Sequence, residues 1–423
     1  MKVVIMAGGK GTRIASINSE VPKPMISILG KPILEYQIEC LKKQNIVDII
    51  LVIGHLGNII KEYFGTGNEF GVNIQYIEEK EPLGTAGALY FMRELLNEDF
   101  LLINGDIIFD IDIHKFYNYH IKNRGSATLF THPNSHPYDS ALIEVDDRHK
   151  VTRWLHKEDE RTWYQNRVNA GLHIISPNVF SEFISLKKRD LDRDILKPLI
   201  KKGKLFAYDS PEYVKDMGTP ERYFEVIEDI KSGRVEASNL TKKQKAIFLD
   251  RDGTINKYVG FLRKIEDFEL IDGVADAIKS INRKGYLAIV ITNQPVVARG
   301  ELTVEELNNI HKKMETLLGE KGAFLNDIFY CPHHPDKGFE GERKEYKIKC
   351  TCRKPHPGLI LEAAKKYNIS LKDSYMIGDS MIDMEAGKAA GCKCILLDKD
   401  STKKYDNSIK VYHNLLEFVT KEI

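Results

Sequence analysis

Short apolar runs alternate with amphipathic runs of helical length along the whole chain. In the first half, Val3–Ala7, Ile49–Ile53 and Phe100–Ile103 are continuously apolar, as strands buried on both faces are, while Ile33–Gln44 and Thr85–Leu96 carry the helical period. A second series begins at Ala246–Leu249 and continues with Leu287–Ile291, Tyr375–Ile377 and Ile395–Leu397. Its helical patterns are Gly273–Arg283, Val304–Leu318, Pro357–Tyr367 and Met381–Ala390. This alternation predicts α/β architecture with parallel sheets. Between the series lies Ser232–Gln244, polar, basic and interrupted by glycine, which predicts a linker over 232–244 between domains at 1–231 and 245–423. The halves share no motif, so the arrangement is fusion and not duplication.

Composition narrows the class. With 423 residues, 42% hydrophobic and 29% charged, the chain has enough apolar content for two full cores. A formal net charge of +1 gives no electrostatic footprint for nucleic acid or an anionic membrane, and Lys242-Lys243-Gln244-Lys245 reads as solvated linker. The first residues are interrupted by glycine too early for a signal peptide, and no apolar run approaches the ~20 residues that span a bilayer. Three of the six cysteines cluster in a metal-like pattern, which is no secreted disulfide framework. The expectation is a cytoplasmic protein; its oligomeric state stays open.

The first strand runs into Ala7-Gly8-Gly9-Lys10-Gly11-Thr12-Arg13. Glycines let backbone N–H groups approach phosphate oxygens, and Arg13 adds a bidentate donor. Neither the Walker ending nor the dinucleotide fingerprint is present. Lys23 stands between two prolines, Leu83-Gly84-Thr85-Ala86 makes a second glycine turn, and Asn104-Gly105-Asp106 ends an apolar strand with a carboxylate. Asp216 follows in Lys215-Asp216-Met217-Gly218. Carboxyl ends of strands are where open α/β sheets bind ligands.

These motifs, in this order over residues 1 to 231, resemble the nucleotidyltransferase family that makes nucleoside diphosphate sugars. The resemblance implies that Gly8, Gly9, Gly11, Thr12 and Arg13 hold nucleotide phosphates with help from Lys23, and that Gly84 and Thr85 lie against base and sugar. It implies magnesium on Asp106 and Asp216, and Arg13 and Lys23 offsetting charge as a sugar 1-phosphate displaces pyrophosphate. Lys157, in Trp154-Leu155-His156-Lys157, resembles the lysine that grips the sugar phosphate, with His156 where relatives carry glutamate. Asn169 resembles the sugar-contacting turn.

In the second half, Asp250-Arg251-Asp252-Gly253-Thr254 puts two aspartates at a strand end. Like charges that close call for a cation between them. Magnesium on Asp250, Asp252 and Asp379 would also neutralise a phosphate while Asp250 attacks phosphorus and Asp252 serves as acid and base. Thr292-Asn293, Lys354 and Gly378-Asp379-Ser380-Met381-Ile382-Asp383, which returns carboxylates to the metal at another strand end, complete four motifs that resemble the haloacid dehalogenase superfamily over residues 245 to 423. Cys331-Pro332-His333-His334-Pro335 and Cys350-Thr351-Cys352 supply three thiolates and one imidazole, a closed structural zinc set of Cys331, His333, Cys350 and Cys352. His334 reads as a neighbour of that set, and Cys40, Cys392 and Cys394 as apolar fillers.

Zinc loops of this form resemble heptose bisphosphate phosphatases and histidinol phosphatases, and the Thr292–Gly300 run is closer to the former. On that resemblance Thr292, Asn293, Arg299 and Arg353 are substrate-binding candidates. Ser380 departs from the heptose pattern, where lysine is common. The implied whole is two Rossmann-like domains: a nucleotide-diphospho-sugar transferase fold, then a haloacid dehalogenase-like fold with a zinc loop. Together they imply dephosphorylation of a heptose 1,7-bisphosphate followed by transfer of GMP from GTP to the heptose 1-phosphate. A histidinol phosphatase fused to another transferase, and a nucleotide-sugar sensor with an inactive phosphatase, are the alternatives.

Overall fold

The computed structural model describes residues 1–9, 20–183, 185–398, 400, 405 and 409–423. Contacts divide the chain into two units. One takes Met1–His132, Ile143–Trp154 and Asn169–Asn239; the other takes Pro133–Leu142, Leu155–Val168 and Leu240–Ile423.

In the first unit the strands that position the site are β1 (Val3–Met6), β2 (Asp48–Ile53), β3 (Asn73–Glu78), β4 (Phe100–Asn104), β5 (Ile107–Asp110), β6 (Val168–Ile175) and β7 (Tyr213–Asp216). β1 is central, parallel to β2 and β4, with β3 parallel beyond β2. Covered on both faces, Val3, Val4 and Ile5 are fully buried, which is why the strand is apolar throughout. The sheet is mixed and not wholly parallel as the alternation predicts, because β6 re-enters antiparallel to β4 with Leu172 opposite Ile103. β5 and β7 form a separate antiparallel ribbon in which Asp216 faces Ile107.

The helix Ile33–Lys43 buries Ile33, Leu34, Ile38, Cys40 and Leu41 and ends on Lys42 and Lys43, which suit its negative terminus. Its buried Gln37 donates to Asn104 O at 2.9 Å and Ile107 O at 2.8 Å, fixing the turn that carries Asp106. The helix expected over Thr85–Leu96 is only a 3₁₀ turn, Gly87–Met92. Ala86 N donates to Arg189 O and Arg189 N to Leu83 O, so this backbone is stitched to a neighbouring segment before an α-helix can start.

The boundary between the units falls at Asn239/Leu240, inside residues 232–244, where Thr241, Lys242 and Lys243 are exposed while the flanking residues carry local structure. They contain a helical turn, Arg234–Ala237, and Asn239 donates to Asp110 at 2.6 Å. Leu240 is buried in the second unit, and Gln244 exchanges backbone bonds with Asn368 and Ser370 there.

The second unit carries β8 (Ala246–Leu249), β9 (Leu287–Asn293), β10 (Asp327–Cys331), β11 (Tyr375–Gly378), β12 (Lys393–Leu397) and β13 (Lys410–Tyr412). They form one parallel sheet in the order β10-β9-β8-β11-β12-β13, with Leu249 opposite Val290 on one side and Ile377 on the other. The helix Val304–Glu320 opens on a Thr303/Glu306 capping box. Its Glu315 is the partner, at 3.0 Å, of buried Arg167 from the earlier segment Leu155–Val168. Among the described residues no helix is long and apolar enough to cross a membrane.

Candidate active sites

In the first unit the end of β1 meets the end of β2 through two glycines. A Cβ on Gly8 would stand 3.3 Å from Gly54 N and 2.9 Å from Glu79 Oε2, so a side chain at Gly8 would collide with the carboxylate that ends β3. Gly9 faces open space. Gly11, Thr12 and Arg13 lie outside the described residues. Glu79 was not among the sequence candidates. Its Oε1 is buried with no protein partner, and burial holds its pKa above the usual carboxylate value against the pull of the Leu83 N–H.

Lys23 reaches Asp106, with Nζ 2.5 Å from Oδ2. Met217 N donates to Asp106 O, so the β5–β7 ribbon sets Asp106 and Asp216 close along the backbone. Asp216 is gripped by Arg222, a residue that sequence reading missed, with Nη1 at 2.7 and 2.8 Å from its two oxygens. Burial works to raise the Asp216 pKa; Arg222, with Lys23 behind it, holds it below the usual range. Both carboxylates are thus held by cations, and a magnesium ion, which typically takes one or two carboxylates and completes its shell with water and substrate phosphates, would have to share them with Lys23 and Arg222.

Thr85 uses its hydroxyl locally, accepting from Leu191 N at 2.7 Å, and Gly84 adopts φ +80° against Arg189. The Asn169 side chain accepts from Gly171 N and bonds His173 Nε2 at 3.0 Å. Burial pushes His173 down to about 3, so it acts as a neutral prop. Lys157 stands exposed in a turn of the segment counted with the second unit.

In the second unit Asp250 leaves the central strand β8, and Lys354 Nζ lies 2.7 Å from its Oδ1 and 2.6 Å from Asp383 Oδ1. Lys354 and Asp383 are both buried. Burial works against the Lys354 charge, yet Asp250 and Asp383 hold its pKa above the usual value. Burial pushes Asp250 up to about 7, with Lys354 opposing and Asp383 and Asp252 adding to the rise. Asn293 spends its amide on Lys354, accepting from Lys354 N and donating to Lys354 O, both at 3.0 Å. Thr292, buried beside it, accepts from Gln294 at 2.9 Å.

Asp250, Asp379 and Asp383 bring ligand oxygens within 4.8 Å of one another, an acid cluster able to hold a cation. The expected member Asp252 does not join them. Its carboxylate is turned into the fully buried Arg251, at 2.9 and 3.0 Å, because that guanidinium requires a counter-ion. Asp383 replaces it, held by Ser380 in the capping box that starts the helix Met381–Ala390. Gly253 is obligatory here, since at φ +82° a Cβ would lie 2.0 Å from Asp379 Oδ2. Three oxygen donors of this kind fit magnesium.

Cys331, His333, Cys350 and Cys352 converge as a second cluster. Five of the six pairs of ligand atoms stand 3.2 to 3.6 Å apart, and all lie within 4.8 Å. A zinc tetrahedron with bonds of about 2.3 Å has edges of about 3.8 Å, so a small outward shift would fit the ion. His334 stays outside, its Nδ1 accepting from Asp336 N at 3.3 Å. Arg353 donates to His333 O at 3.2 Å, and the Arg299 guanidinium lies between the rings of Phe261 and Phe339 at 4.1 and 4.5 Å. Cys40 is buried, whereas Cys392 and Cys394 are half-buried and pack on the core edge.

Residues 2–233 match the nucleotidyl transferase family, and residues 351–416 match the HAD-hydrolase-like family. The D-glycero-beta-D-manno-heptose-1,7-bisphosphate 7-phosphatase of Escherichia coli K12 is 42% identical over 151 residues, 36% of this chain and 77% of that protein. Its Pasteurella multocida counterpart is 39% identical over 177 residues, 42% of this chain and 93% of its own length. The chain belongs to both families, the nucleotidyl transferases and these phosphatases. It is a bifunctional enzyme that joins a nucleotidyl transferase to a HAD-like phosphatase. Among solved structures, HddC from Yersinia pseudotuberculosis overlaps 54% of the fusion and 99% of its own chain at 27% identity, with a TM-score of 0.48.

Proposed function

We propose that the phosphatase half removes the 7-phosphate of D-glycero-D-manno-heptose 1,7-bisphosphate and the transferase half then moves GMP from GTP to the heptose 1-phosphate, releasing pyrophosphate and GDP-D-glycero-α-D-manno-heptose. The carrying observation is the co-occurrence itself. Relatives named for removing the 7-phosphate leave a sugar 1-phosphate, the substrate class of a sugar nucleotidyl transferase on the same chain.

In the first reaction the Asp250 carboxylate attacks phosphorus, the P–O bond to C7 breaks, and the departing alkoxide takes a proton from Asp252. Water then attacks the acyl phosphate, gives its proton to Asp252, and inorganic phosphate leaves Asp250 free. Lys354 faces Asp250 and counters charge gathering there. Magnesium at Asp250, Asp379 and Asp383, and at Asp106 and Asp216, would supply further charge neutralisation. Zinc on Cys331, His333, Cys350 and Cys352 would tie down the loop that ends in Arg353 and Lys354.

For the base, Glu79 supports guanine. A carboxylate only accepts, and guanine alone among the four bases offers two adjacent donors, N1–H and N2–H, to one acceptor group. All described cysteines are unpaired, and GTP and reduced thiols point to the cytoplasm. The ligands are small molecules.

The test supplies the full-length enzyme with α- and β-anomeric heptose 1,7-bisphosphate, histidinol phosphate and each nucleoside triphosphate, and follows phosphate and pyrophosphate release. The proposal requires phosphate release from a heptose bisphosphate first and GTP as the preferred donor. Faster hydrolysis of histidinol phosphate refutes the phosphatase half; preference for ATP, CTP or UTP refutes the transferase half.

A further inference from the structure

The Asp252 carboxylate is fully engaged. Oδ1 accepts from Arg251 Nη2 at 3.0 Å and Asn256 Nδ2 at 3.0 Å, and Oδ2 from Arg251 Nη2 at 2.9 Å and Gln294 Nε2 at 2.9 Å. Arg251 Nε adds a longer contact to Oδ1 at 3.3 Å. An ionised carboxylate offers about four lone-pair sites. With those sites met by donors, Asp252 cannot reach a leaving group until it lets go of Arg251.

Letting go is expensive for a guanidinium that is fully buried, since a lone charge there has no water to turn to. The structure supplies two neutral acceptors around the same guanidinium. Arg251 Nη2 donates to Gln294 Oε1 at 3.0 Å, and Nη1 faces His311 Nε2 at 3.3 Å. His311 sits in the helix Val304–Glu320, 5% exposed, and burial together with Arg251 holds it well below the usual histidine value. It is therefore neutral, and its Nε2 accepts. The Gln294 amide, bonded at once to Asp252, Arg251 and Thr292, joins this group to the end of β9.

We propose that Arg251, Gln294 and His311 form a latch that parks the acid/base Asp252 and keeps the Arg251 charge satisfied whenever Asp252 swings out to exchange a proton. The inference rests on the reading of Asp252 as acid and base. Arg251, Gln294 and His311 are positioning residues that act through Asp252.

The experiment uses the full-length enzyme with magnesium in single turnover, comparing formation of the phosphoenzyme from heptose 1,7-bisphosphate with that from p-nitrophenyl phosphate. The aryloxide leaves without a proton; the sugar alkoxide needs one. His311→Phe fills the same space without an acceptor and is expected to slow the heptose reaction about 10-fold or more while leaving the aryl reaction within about twofold. His311→Gln, which keeps an acceptor, is expected to retain the heptose rate. Gln294→Met repeats the test from the other side of the guanidinium. Equal losses with both substrates, or no loss with either, overturn the latch. Asp252→Asn separates the two ideas: if it spares the heptose reaction, the acid/base reading itself falls and takes the latch with it. If Asp252→Asn shows the selective loss and His311→Phe does not, only the latch falls.

Discussion

Removing magnesium should expose a pH dependence that the acid cluster of the phosphatase unit creates. Burial, opposed by Lys354 and reinforced by Asp383 and Asp252, places Asp250 at about 7, against 3.8 for a free aspartate. Burial and Asp383 lift Asp379 to about 6. Between those limits the metal-free folded state binds protons that the unfolded chain has released, so these aspartates lose stability as pH rises toward 7. For Asp250 the full effect is about 4 kcal/mol. His311 pulls the other way, because a histidine buried neutral gains stability as pH rises through its unfolded value of 6.5. Absolute stability is therefore a poor readout, and the difference with and without magnesium is the right one, since His311 cancels from it. Magnesium competes with protons for Asp250, which costs it about 1.4 kcal/mol per pH unit below 7. The magnesium increment should grow by about 3 kcal/mol from about pH 5 to about pH 7. Urea titration followed by hydrogen exchange in peptides spanning Ala246–Leu249 and Tyr375–Gly378 reads this unit alone. With slopes of about 1–3 kcal/mol per molar urea, the midpoint difference should widen by about 1–3 M. An increment equal at both pH values would show that the cluster does not bind the ion through carboxylates that protons contest.

Metal analysis should find about one zinc per chain, and Cys350→Ser should lower that content and the phosphatase rate together, since a closed four-ligand set tolerates little loss. Asp252→Asn should cut phosphatase turnover by about 10² to 10⁴ and spare pyrophosphate release from heptose 1-phosphate, with Asp106→Asn doing the reverse. Loss of both activities from either change, in a folded protein, would replace two sites with one composite site. Glu79→Gln should cost GTP use about 1–3 kcal/mol, read as the ratio of kcat/KM for GTP over ATP, because the amide replaces one of two side-by-side acceptor oxygens with an NH2 that meets a guanine donor. An unchanged ratio would remove Glu79 from base recognition.

The strand cores were legible in the sequence because each is set by a local pattern: Val3–Met6, Ala246–Leu249 and Tyr375–Gly378 lie where uninterrupted apolar runs predict them. The convergence of Cys331, His333, Cys350 and Cys352 was legible for a similar reason, since cysteine and histidine in pairs leave few other uses. What the sequence hid are choices of partner made across the fold. Arg251 is simply the residue between two aspartates until its burial makes Asp252 its counter-ion. Asp383 was in view as the last carboxylate of the run Gly378–Asp383, but its second duty was not: one oxygen takes Ser380 in the helix cap while the other meets Lys354. The run Thr85–Leu96 has helical periodicity that loses to the backbone bond from Ala86 to Arg189, a residue that Leu83 also holds. Glu79 sits in a run of acidic and basic residues that looks solvated, and only the packing of Gly8 and Leu83 singles it out.

The insert and the acid cluster are best understood through Lys354. Its ammonium is buried between two carboxylates, a position in which the attraction is useful only while the geometry holds. Three constraints fix it. Asn293 holds the Lys354 backbone from the end of β9 by a reciprocal pair of bonds. The thiol cluster holds Cys352, two residues before it. Asp383 holds the side chain from a helix whose first turn it also caps. Arginine could not substitute, because its forked guanidinium would need room in a space that the ammonium fills with two contacts of 2.6 and 2.7 Å. The thiol cluster and the nucleophile are then linked through one lysine, so a change at Cys350 or Cys352 should be felt at Asp250.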